Sequence, residues 1–408
     1  MNTLVNKTAL LEALKYCKCL ASVKATWEYS GLLFLKTINK KSLQLLVTHP
    51  DVTLNVTVDA PLCSVHDDGD TMVVPFNDFL LCVERTVADT VYLKDNSFKF
   101  EDLKARGLCV GHPALPLTMH ENTARIVDVD KFEPMAEPLC TSGATLPVKT
   151  LFRMLGQTDF CVDTLISSPS REGLQYLCFE VHDRHARCIA ADRHRLASAE
   201  TTDCEGEIEL LFPLGTSKLL KKIIVGSKTG RGGGKQEEIP KCARIGVGET
   251  GYVFDLGEGA KVKVKVYGRK PDEEPATTLH RATWVFFSNE WRFCFDGRKA
   301  LMAALKNKNK GDAYHRITFR IERDLMRAFG GSEADAYVIP IQFDADCGMT
   351  RFEPFEIACD AKKLAEGLSV LKGDRVRFGL CGDMDPITVQ AGDDDSRQFR
   401  YLLSALRK

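Results

Sequence analysis

Three residues near the middle of the chain, His182, His185 and Cys188, are of the types that bind transition metals. Imidazole nitrogens and thiolates are common zinc ligands when they converge on one point. The three residues lie among apolar residues that predict β-structure, and residues three apart on a strand point to opposite faces. The side chains therefore do not converge unless the strand breaks between them, and we expect no bound metal.

A glycine pattern, Gly246-Val-Gly248-Glu-Thr-Gly251, has the spacing of dinucleotide-binding loops. In such loops the glycines lead into a helix whose N-terminus faces the pyrophosphate. Here the residues that follow, Tyr252-Val-Phe-Asp-Leu256, have the composition of a strand. The pattern therefore favours the turn of a β-hairpin, and a nucleotide-dependent enzyme that uses Gly246–Gly251 is kept only as an alternative.

A second glycine-rich segment, Ser227–Gln236, carries lysine as phosphate-binding loops do. Lys235 is followed by Gln236 instead of Ser or Thr, and no glycine stands five residues before Gly234. The segment is therefore predicted to be an exposed insertion. No Ser/His/Asp or Cys/His arrangement stands out in the sequence, so we assign no catalytic residue and no cofactor, and we expect a protein that is not an enzyme.

Composition and charge narrow the class of protein. The 408 residues suffice for two or three domains, and the apolar fraction of 44% supports ordinary cores. Fifteen cysteines without a regular spacing indicate reduced thiols. No apolar run is long enough to span a bilayer and no signal peptide is visible, so we expect a cytoplasmic protein without membrane contact. Because the net charge is −1, nucleic-acid contact would need a segregated basic surface.

The order of predicted elements repeats three times along the chain. Each unit reads as helix, strands, helix, strands, and takes about a third of the 408 residues, which is too long for a solenoid repeat. We therefore predict an α+β fold of three similar domains, each with two helices and antiparallel sheets, at 1–140, 141–275 and 276–408. The predicted helices are Lys7–Leu20, Phe76–Arg85, Leu146–Leu155, Thr216–Ile224, Asp296–Leu305 and Asp360–Leu371.

Lysine and arginine recur on one side of these helices. Spacings of three or four residues place the charges on the same face of a helix. For any single helix, an ordinary solvated face is the simpler explanation. Recurrence in all three units favours a surface that contacts DNA phosphates without reading bases, although the helix Phe76–Arg85 offers only Arg85. The predicted DNA-contacting residues on these helices are Lys15, Lys149, Arg153, Lys218, Lys221, Lys222 and Lys306.

The stretch Cys188–Ala197 predicts a strand, a sharp polar turn and a second strand. Its core, Ala190-Ala-Asp-Arg-His-Arg-Leu-Ala197, resembles the Ala-Thr-Asp-Gly-His-Arg-Leu-Ala signature of the bacterial sliding clamp, the beta subunit of DNA polymerase III. Arg400–Lys408 resembles the last strand of that family, and Gly268-Arg-Lys-Pro-Asp272 resembles its Gly-Arg-Phe-Pro-Asp segment. The central motif is fairly specific, the other two are supportive, and the three-unit pattern covers the whole chain.

The resemblance implies a homodimer whose six similar domains, joined head to tail, form a closed ring around duplex DNA. The basic helix faces would meet the phosphates in the hole, as would Lys24, which matches a DNA-contacting position of the family. Such a clamp tethers a DNA polymerase and other DNA-processing proteins, and a separate clamp loader places it on DNA. Ring closure is expected through an edge strand at 105–110 and the helix around Leu305. A clamp-like scaffold that does not encircle DNA is the second alternative.

The resemblance also implies a pocket for a short apolar peptide of the polymerase or another partner. When the chain is matched to the family residue by residue, Leu174 and the turn form one side of the pocket, Pro271 forms another, and the C-terminal tail closes it. His194 and Arg195 also have a structural alternative, in which they bond backbone carbonyls at the turn. The implied pocket residues are Leu174, Ala191, Arg193, His194, Arg195, Leu196, Pro271, Leu402, Ser404, Ala405 and Leu406.

The chain departs from the family pattern at several of these positions. Arg193 replaces a glycine, so either this residue accepts a strained backbone or the turn differs. Ala191 replaces threonine, Ser404-Ala-Leu406 replaces Met-Pro-Met, and Pro275 lies where the family has an arginine. These changes predict a different partner peptide and indicate a phage or an outlying lineage.

Overall fold

The structure is a computed structural model of the 408-residue chain. It describes residues 2–22, 29–39, 41–60, 62–63, 71–100, 103–111, 123–127, 134–164, 174–226, 242–258, 262–271, 291–306, 315–330, 333–344, 353–380, 385–392 and 398–406. Lys24, the segment Ser227–Gln236 and Pro275 lie outside the described residues.

The described residues form six α-helices, two in each predicted unit, and all six were predicted from helical spacing. None of them is long and apolar enough to cross a membrane. The helices are α1 (Lys7–Ala21), α2 (Phe76–Arg85), α3 (Val148–Thr158), α4 (Leu214–Gly226), α5 (Arg298–Lys306) and α6 (Ala361–Ser369).

The strands run between these helices in the order that the repeat predicts. In the first third of the chain they are β1 (Asn2–Asn6), β2 (Leu32–Ile38), β3 (Ser42–His49), β4 (Val52–Asp59), β5 (Leu62–Cys63), β6 (Thr71–Pro75), β7 (Thr90–Phe100), β8 (Leu103–Gly111) and β9 (Thr123–Arg125). In the second third they are β10 (Ser142–Pro147), β11 (Tyr176–His182), β12 (His185–Ala191), β13 (Arg195–Thr201), β14 (Glu205–Pro213), β15 (Cys242–Val247), β16 (Gly251–Glu258) and β17 (Val262–Arg269). The last third has β18 (Trp291–Asp296), β19 (Arg316–Ile321), β20 (Leu325–Phe329), β21 (Tyr337–Pro340), β22 (Gln342–Phe343), β23 (Phe355–Asp360), β24 (Arg375–Leu380), β25 (Ile387–Ala391) and β26 (Phe399–Leu403).

Local chemistry explains where the helices begin. The Asn6 side chain caps α1 by accepting a hydrogen bond of 3.0 Å from the Ala9 N–H. Asp360 caps α6 in the same way, because its carboxylate accepts from the N–H groups of Lys362 and Lys363. The apolar face predicted for α1, which includes Leu10 and Leu14, is fully buried.

The chain divides into two compact units, and the division falls within α3. The first unit consists of Met1–Phe152 and Glu205–Lys270, and the second of Arg153–Cys204 and Pro271–Lys408. Each unit therefore combines strands of two predicted repeats. The division into domains at 1–140, 141–275 and 276–408 stays a prediction.

The first unit contains a long antiparallel sheet with the strand order β14-β10-β15-β16-β17-β4-β3-β2-β6. Strands of the first and second repeats meet where β17 pairs with β4, from Val262 opposite Val58 to Gly268 opposite Val52. A second sheet has the order β5-β1-β7-β8-β9. The last strand of the second repeat is thus joined to the fourth strand of the first repeat.

The second unit repeats this arrangement. Its long antiparallel sheet has the order β11-β12-β13-β26-β25-β24-β18-β22. The second and third repeats meet where β13 pairs with β26, with Arg195 opposite Leu403 and Ala199 opposite Phe399. Its smaller sheet has the order β21-β20-β19-β23. Again the last strand of one repeat is joined to the fourth strand of the repeat before it.

The expectation of an edge strand at 105–110 needs correction. These residues belong to β8, which pairs with β7 along its whole length and with β9 at Gly107–Cys109. The strand β9 pairs with the side of β8 that was expected to be a free edge. Among the described strands of this sheet, β9 is therefore the edge on that side.

Candidate functional site

The polar turn between β12 and β13 is held by the side chain of Asp192. One carboxylate oxygen accepts hydrogen bonds from the backbone N–H groups of His194 at 2.8 Å and Arg195 at 3.0 Å. The backbone N–H of Asp192 also donates to the carbonyl of Arg195. An aspartate that bonds its own following backbone stabilises a tight turn, which explains why the apolar strands are interrupted by four polar residues.

Arg195 connects this turn to two other segments of the second unit. Its Nε donates to Asp192 at 2.9 Å, one terminal nitrogen donates to the Phe160 carbonyl at 2.7 Å, and the other binds the Glu366 carboxylate on α6. The guanidinium also lies over the Phe160 ring, 5.3 Å from its centroid. Burial alone lowers the pKa of Arg195, but the hydrogen bond to the Glu366 carboxylate and the nearby charge of Asp192 act in the opposite direction, and the pKa lies above its usual value. The side chain supports the turn as a permanent, nearly buried charge.

An aromatic pair forms the base under Arg195. The rings of Phe160 and Tyr401 lie 5.7 Å apart, and the Tyr401 hydroxyl donates to the Lys363 carbonyl of α6 at 2.8 Å. Gly367 allows α6 to approach this closely, since a methyl group there would overlap the Tyr401 ring. Burial raises the pKa of the Tyr401 hydroxyl, which therefore stays protonated and available as a donor.

The C-terminal tail continues from β26 past the turn. Leu196 lies opposite Leu402 in the strand register, and the Ser404 N–H donates to the His194 carbonyl at 2.8 Å. The Leu406 N–H donates to the Ala358 carbonyl at 2.7 Å. Leu196 and Leu402 are buried, whereas Ser404, Ala405 and Leu406 are half-buried. The turn and the tail, 200 positions apart in the sequence, thus form one local structure.

Arg193 occupies the turn without backbone strain. It is absent from the described non-glycine residues with positive φ, so the turn accepts a side chain where the family pattern has glycine. Its Nε lies 3.5 Å from the carboxylate of Asp163. The Asp163 N–H in turn donates to the Leu174 carbonyl at 2.9 Å. Arg193 therefore links the turn to the segment that carries Leu174.

Most of the implied pocket residues are brought together by these contacts. The group consists of Leu174, Ala191, Arg193, His194, Arg195, Leu196, Leu402, Ser404 and, through the tail, Ala405 and Leu406. Pro271 is half-buried, and no described contact links it to the turn. The His194 side chain is largely exposed. The part of it that is buried, together with the nearby Lys363 ammonium, lowers the pKa of its imidazole.

Sequence reasoning missed three residues that hold the turn in place. Glu366 binds Arg195, Asp163 pairs with Arg193, and Phe160 supplies both a ring and a carbonyl. Lys363 on α6 also lies 3.7 Å from the Asp192 carboxylate. Glu366 is 171 positions from Arg195, and no local pattern could have revealed the pair.

The predicted basic surface is clearest where α1 packs against α4 in the first unit. Lys15 and Lys18 are exposed on α1, and Lys218 and Lys222 are exposed on α4. Burial raises the pKa of the Cys19 thiol on α1, and the charge of Lys222 on α4 acts in the opposite direction, so Lys222 lies near α1. The neighbouring strand β14 exposes an acidic row instead, at Glu205, Glu207 and Glu209.

The other predicted DNA-contacting residues differ in availability. Lys149 is exposed and Lys221 is half-buried. Arg153 is engaged within the second unit, where it donates to the Glu200 carbonyl and the Gln157 side chain, both at 3.0 Å. Lys306 ends α5, and its side chain lies outside the described atoms, as Lys24 does. The DNA role of all these residues stays a prediction.

The glycine pattern Gly246–Gly251 is the predicted hairpin. It joins β15 to β16, and the Gly248 N–H donates to the Gly251 carbonyl at 2.9 Å. The glycines are required by packing, because a methyl group at Gly248 would overlap the Leu139 carbonyl and one at Gly246 would overlap the Cys140 thiol. No helix follows the last glycine, so the geometry of a dinucleotide loop is not formed.

The strand carrying the candidate metal ligands does break, at a hairpin between β11 and β12. His182 and His185 lie opposite each other across it, and the turn residues Asp183 and Arg184 both have positive φ. Cys188 points to the other face, where its thiol contacts the Thr158 hydroxyl at 3.2 Å. Within the described part of the chain, no cluster of three metal-ligating side chains forms.

One surface groove of about 620 Å³ lies in the first unit. A cross-strand row of alternating charge, Arg244, Asp255 and Lys265, lines it, and Glu137 pairs with Lys265 at 2.7 Å. Because the opposite charges compensate one another, we assign no ligand to it.

Comparison with known proteins finds relatives along the whole chain. No protein-family model matches. The beta sliding clamp of Staphylococcus epidermidis is 21% identical over 384 residues, which is 88% of both chains. The DNA polymerase III beta subunit of Thermotoga maritima has a TM-score of 0.73 at 15% identity and covers 100% of this chain and 99% of its own. The C. crescentus beta sliding clamp has a TM-score of 0.75 at 16% identity, with complete coverage of both.

The fold is that of a beta sliding clamp. The resemblance carried by the turn motif and the threefold repeat is therefore confirmed, and so is the α+β architecture of six helices with large antiparallel sheets. The low identity agrees with the departures at Arg193 and in the tail, and marks the chain as a divergent relative of the beta sliding clamps.

Proposed function

We propose that this protein is a DNA sliding clamp, a processivity factor that encircles duplex DNA and tethers a DNA polymerase without catalysing a reaction. The observation that carries the proposal is the sliding-clamp fold, which extends over the entire chain. It acts in the cytoplasm, and a separate clamp loader opens it and places it on DNA.

The basic helices support the DNA-binding part of the proposal. Four lysines on the packed helices α1 and α4 are exposed, namely Lys15, Lys18, Lys218 and Lys222. Lysine contacts to phosphate are independent of sequence and weaken with salt. This is the interaction that a sliding ring needs, since contacts to base edges would hold it at one site.

The internal strand pairings support closure into a homodimeric ring. Twice along the chain the fourth strand of one repeat pairs with the last strand of the next, as β4 pairs with β17 and β13 with β26. The third repeat has the equivalent strand β21, and the first repeat has the equivalent strand β9. Both are edge strands among the described residues. We propose that β21 pairs with β9 of a second copy, and that two such joints close the ring head to tail.

The turn and tail support a binding site for a partner peptide. Ala191, Leu196 and Leu402 supply a buried apolar base, while Arg193 and His194 are exposed beside it. Apolar anchors inside a polar rim are the usual form of a peptide-binding groove. In this proposal Arg195 positions the turn from below and does not contact the peptide.

Retention on DNA distinguishes this proposal from the two alternatives. A loaded clamp stays on circular DNA and leaves after a single cut, whereas a scaffold that does not encircle DNA is lost equally from both forms. A nucleotide-dependent enzyme would instead be stabilised against heat by ATP or NAD. Equal loss from circular and linear DNA would overturn the proposal.

A further inference from the structure

The two arginines of the turn are used in opposite ways. The Arg195 side chain is 10% exposed, and its guanidinium binds Asp192, Glu366 and the Phe160 carbonyl. The Arg193 side chain is 34% exposed, and its one contact in the described part of the chain is Nε to Asp163 at 3.5 Å. Arg195 is therefore committed to the fold, whereas Arg193 has donors that the described part of the chain does not use.

Arg193 has more N–H donors than its contact with Asp163 uses. A guanidinium carries five N–H donors in a planar fork that matches a carboxylate. The 3.5 Å contact to Asp163 is a charge interaction longer than an ordinary hydrogen bond. The two terminal nitrogens have no partner among the described residues. Such a fork beside an apolar base is suited to a ligand that brings its own carboxylate.

Asp163 gives the fork a fixed direction. Its side chain is 7% exposed, and its backbone is bound to the Leu174 carbonyl. The attraction acts on Nε, the nitrogen nearest the chain, and does not engage the two terminal nitrogens. The turn backbone that carries Arg193 is itself fixed by Asp192. Arg193 is therefore preorganised, which lowers the entropy lost when a ligand binds.

We propose that Arg193 determines which peptide this site accepts, by binding a carboxylate next to the peptide's apolar anchors. The proposal rests on the peptide site of the proposed function and adds the chemistry of the partner. A bidentate contact between guanidinium and carboxylate is stronger than a neutral hydrogen bond and requires a defined geometry. An acidic residue beside the apolar segment is thus the distinguishing feature of the partner.

Two synthetic peptides test the proposal in fluorescence anisotropy. Each is a labelled ten-residue peptide with an apolar core of leucine and phenylalanine, and they differ only in one residue beside the core, Asp or Asn. We expect the protein to bind the Asp peptide about 10-fold more tightly at low salt. Arg193→Gly abolishes this preference, and Arg193→Lys retains part of it, because lysine keeps the charge but loses the fork.

Arg323 provides a matched control. It occupies the same place in the turn between β19 and β20, where the Glu322 N–H donates to the Leu325 carbonyl as that of Asp192 donates to Arg195. Its side chain is exposed. Arg323→Gly makes the same chemical change in the same kind of turn, and it leaves the preference for the Asp peptide unchanged.

The outcomes separate this inference from the proposed function. Equal affinity for the two peptides, or an undiminished preference in Arg193→Gly, would overturn the role of Arg193 and leave the peptide site standing. If neither peptide binds, the peptide site is refuted and this inference with it. Retention on circular DNA tests the ring independently of both results. Melting temperatures of the variants verify that each one is folded.

Discussion

The guanidinium of Arg195 and the carboxylate of Glu366 form an ion pair that fixes the polar turn to α6. Because Arg195 also binds Asp192 and the Phe160 carbonyl, three separate segments of the second unit meet at one side chain. The sequence left open a structural role in which Arg195 bonds backbone carbonyls at the turn, whereas the carbonyl that its side chain bonds, that of Phe160, lies in another segment. The turn is therefore a rigid support, on which the neighbouring side chains Arg193 and His194 are exposed.

Arg195→Ala is expected to destabilise the protein substantially. The change leaves the carboxylates of Asp192 and Glu366 without their main partner, and breaking a buried pair costs about 3–5 kcal/mol. Glu366 is 37% exposed, and water reduces the penalty, so we expect about 3 kcal/mol. Urea denaturation measures the loss as a lower midpoint at constant slope.

Arg320→Ala is the matched control for this prediction. Arg320 pairs with Glu333 at 3.0 Å in the same unit, but both side chains are more than 40% exposed, at 41% and 47%. Exposed ion pairs contribute less than about 1 kcal/mol. Similar losses in the two variants would contradict the structural role of Arg195.

The glycines of the β15–β16 hairpin are expected to be required for packing. Gly248→Ala places a methyl group against the Leu139 carbonyl and lowers the free energy of unfolding by about 1–3 kcal/mol. Gly156→Ala is the opposite case, because it lies inside α3 with open space around it and gains about 0.5–1 kcal/mol. Thermal unfolding compares the two. A hairpin that tolerates alanine at Gly248, together with stabilisation by ATP or NAD, would favour the enzyme alternative.

The lysines of α1 and α4 are expected to control the salt dependence of DNA binding. Each phosphate contact contributes about −0.9 to the slope of log K against log salt concentration. Lys15→Ala combined with Lys222→Ala therefore makes the slope shallower by about 1–2 units for a short duplex. Lys41→Ala combined with Lys372→Ala removes two exposed lysines outside the helices and leaves the slope unchanged. Equal slopes for both double variants would refute the assigned DNA surface.

The exposed strand β21 is expected to carry the contact between subunits. Val338 is 45% exposed on this edge strand. Val338→Asp places a charge in the proposed joint and raises the dimer dissociation constant at least about 10-fold, a loss of about 1.4 kcal/mol. Val87→Asp makes the same change at a valine that is 98% exposed in the first unit, and it leaves the dimer intact. Light scattering over a dilution series gives both constants, and an unaffected Val338 variant would exclude this joint.

The helices and the hairpin could be predicted because their signals are local. The buried face of α1 follows from the spacing of Leu10, Ala13, Leu14 and Cys17, and the six helices recur in the order of the repeat. The pairings of β4 with β17 and β13 with β26 could not be predicted, since they join residues far apart that share no local pattern. The short strand β9, which pairs with β8, was missed for the same reason.

The site was predictable only in part. The motif around Asp192 located the turn, and the family resemblance placed the tail beside it, where the structure has Leu196 and Leu402 as strand neighbours. Periodicity placed Arg153 among the exposed basic residues, but its guanidinium bonds within the fold. A helical spacing indicates the face on which a side chain lies and carries no information about the partner that it finds there.

Topological retention tests the central claim most directly. The protein is loaded by its clamp loader onto a nicked circular plasmid and freed of unbound molecules by gel filtration. The plasmid is then left intact, cut once, or cut once with both ends blocked by bound streptavidin. A sliding ring stays on the intact circle at 0.5 M salt, is lost after the cut, and is retained again when the ends are blocked, because screening at this salt weakens phosphate contacts but leaves the topology unchanged. Equal loss from all three DNA forms would contradict the account.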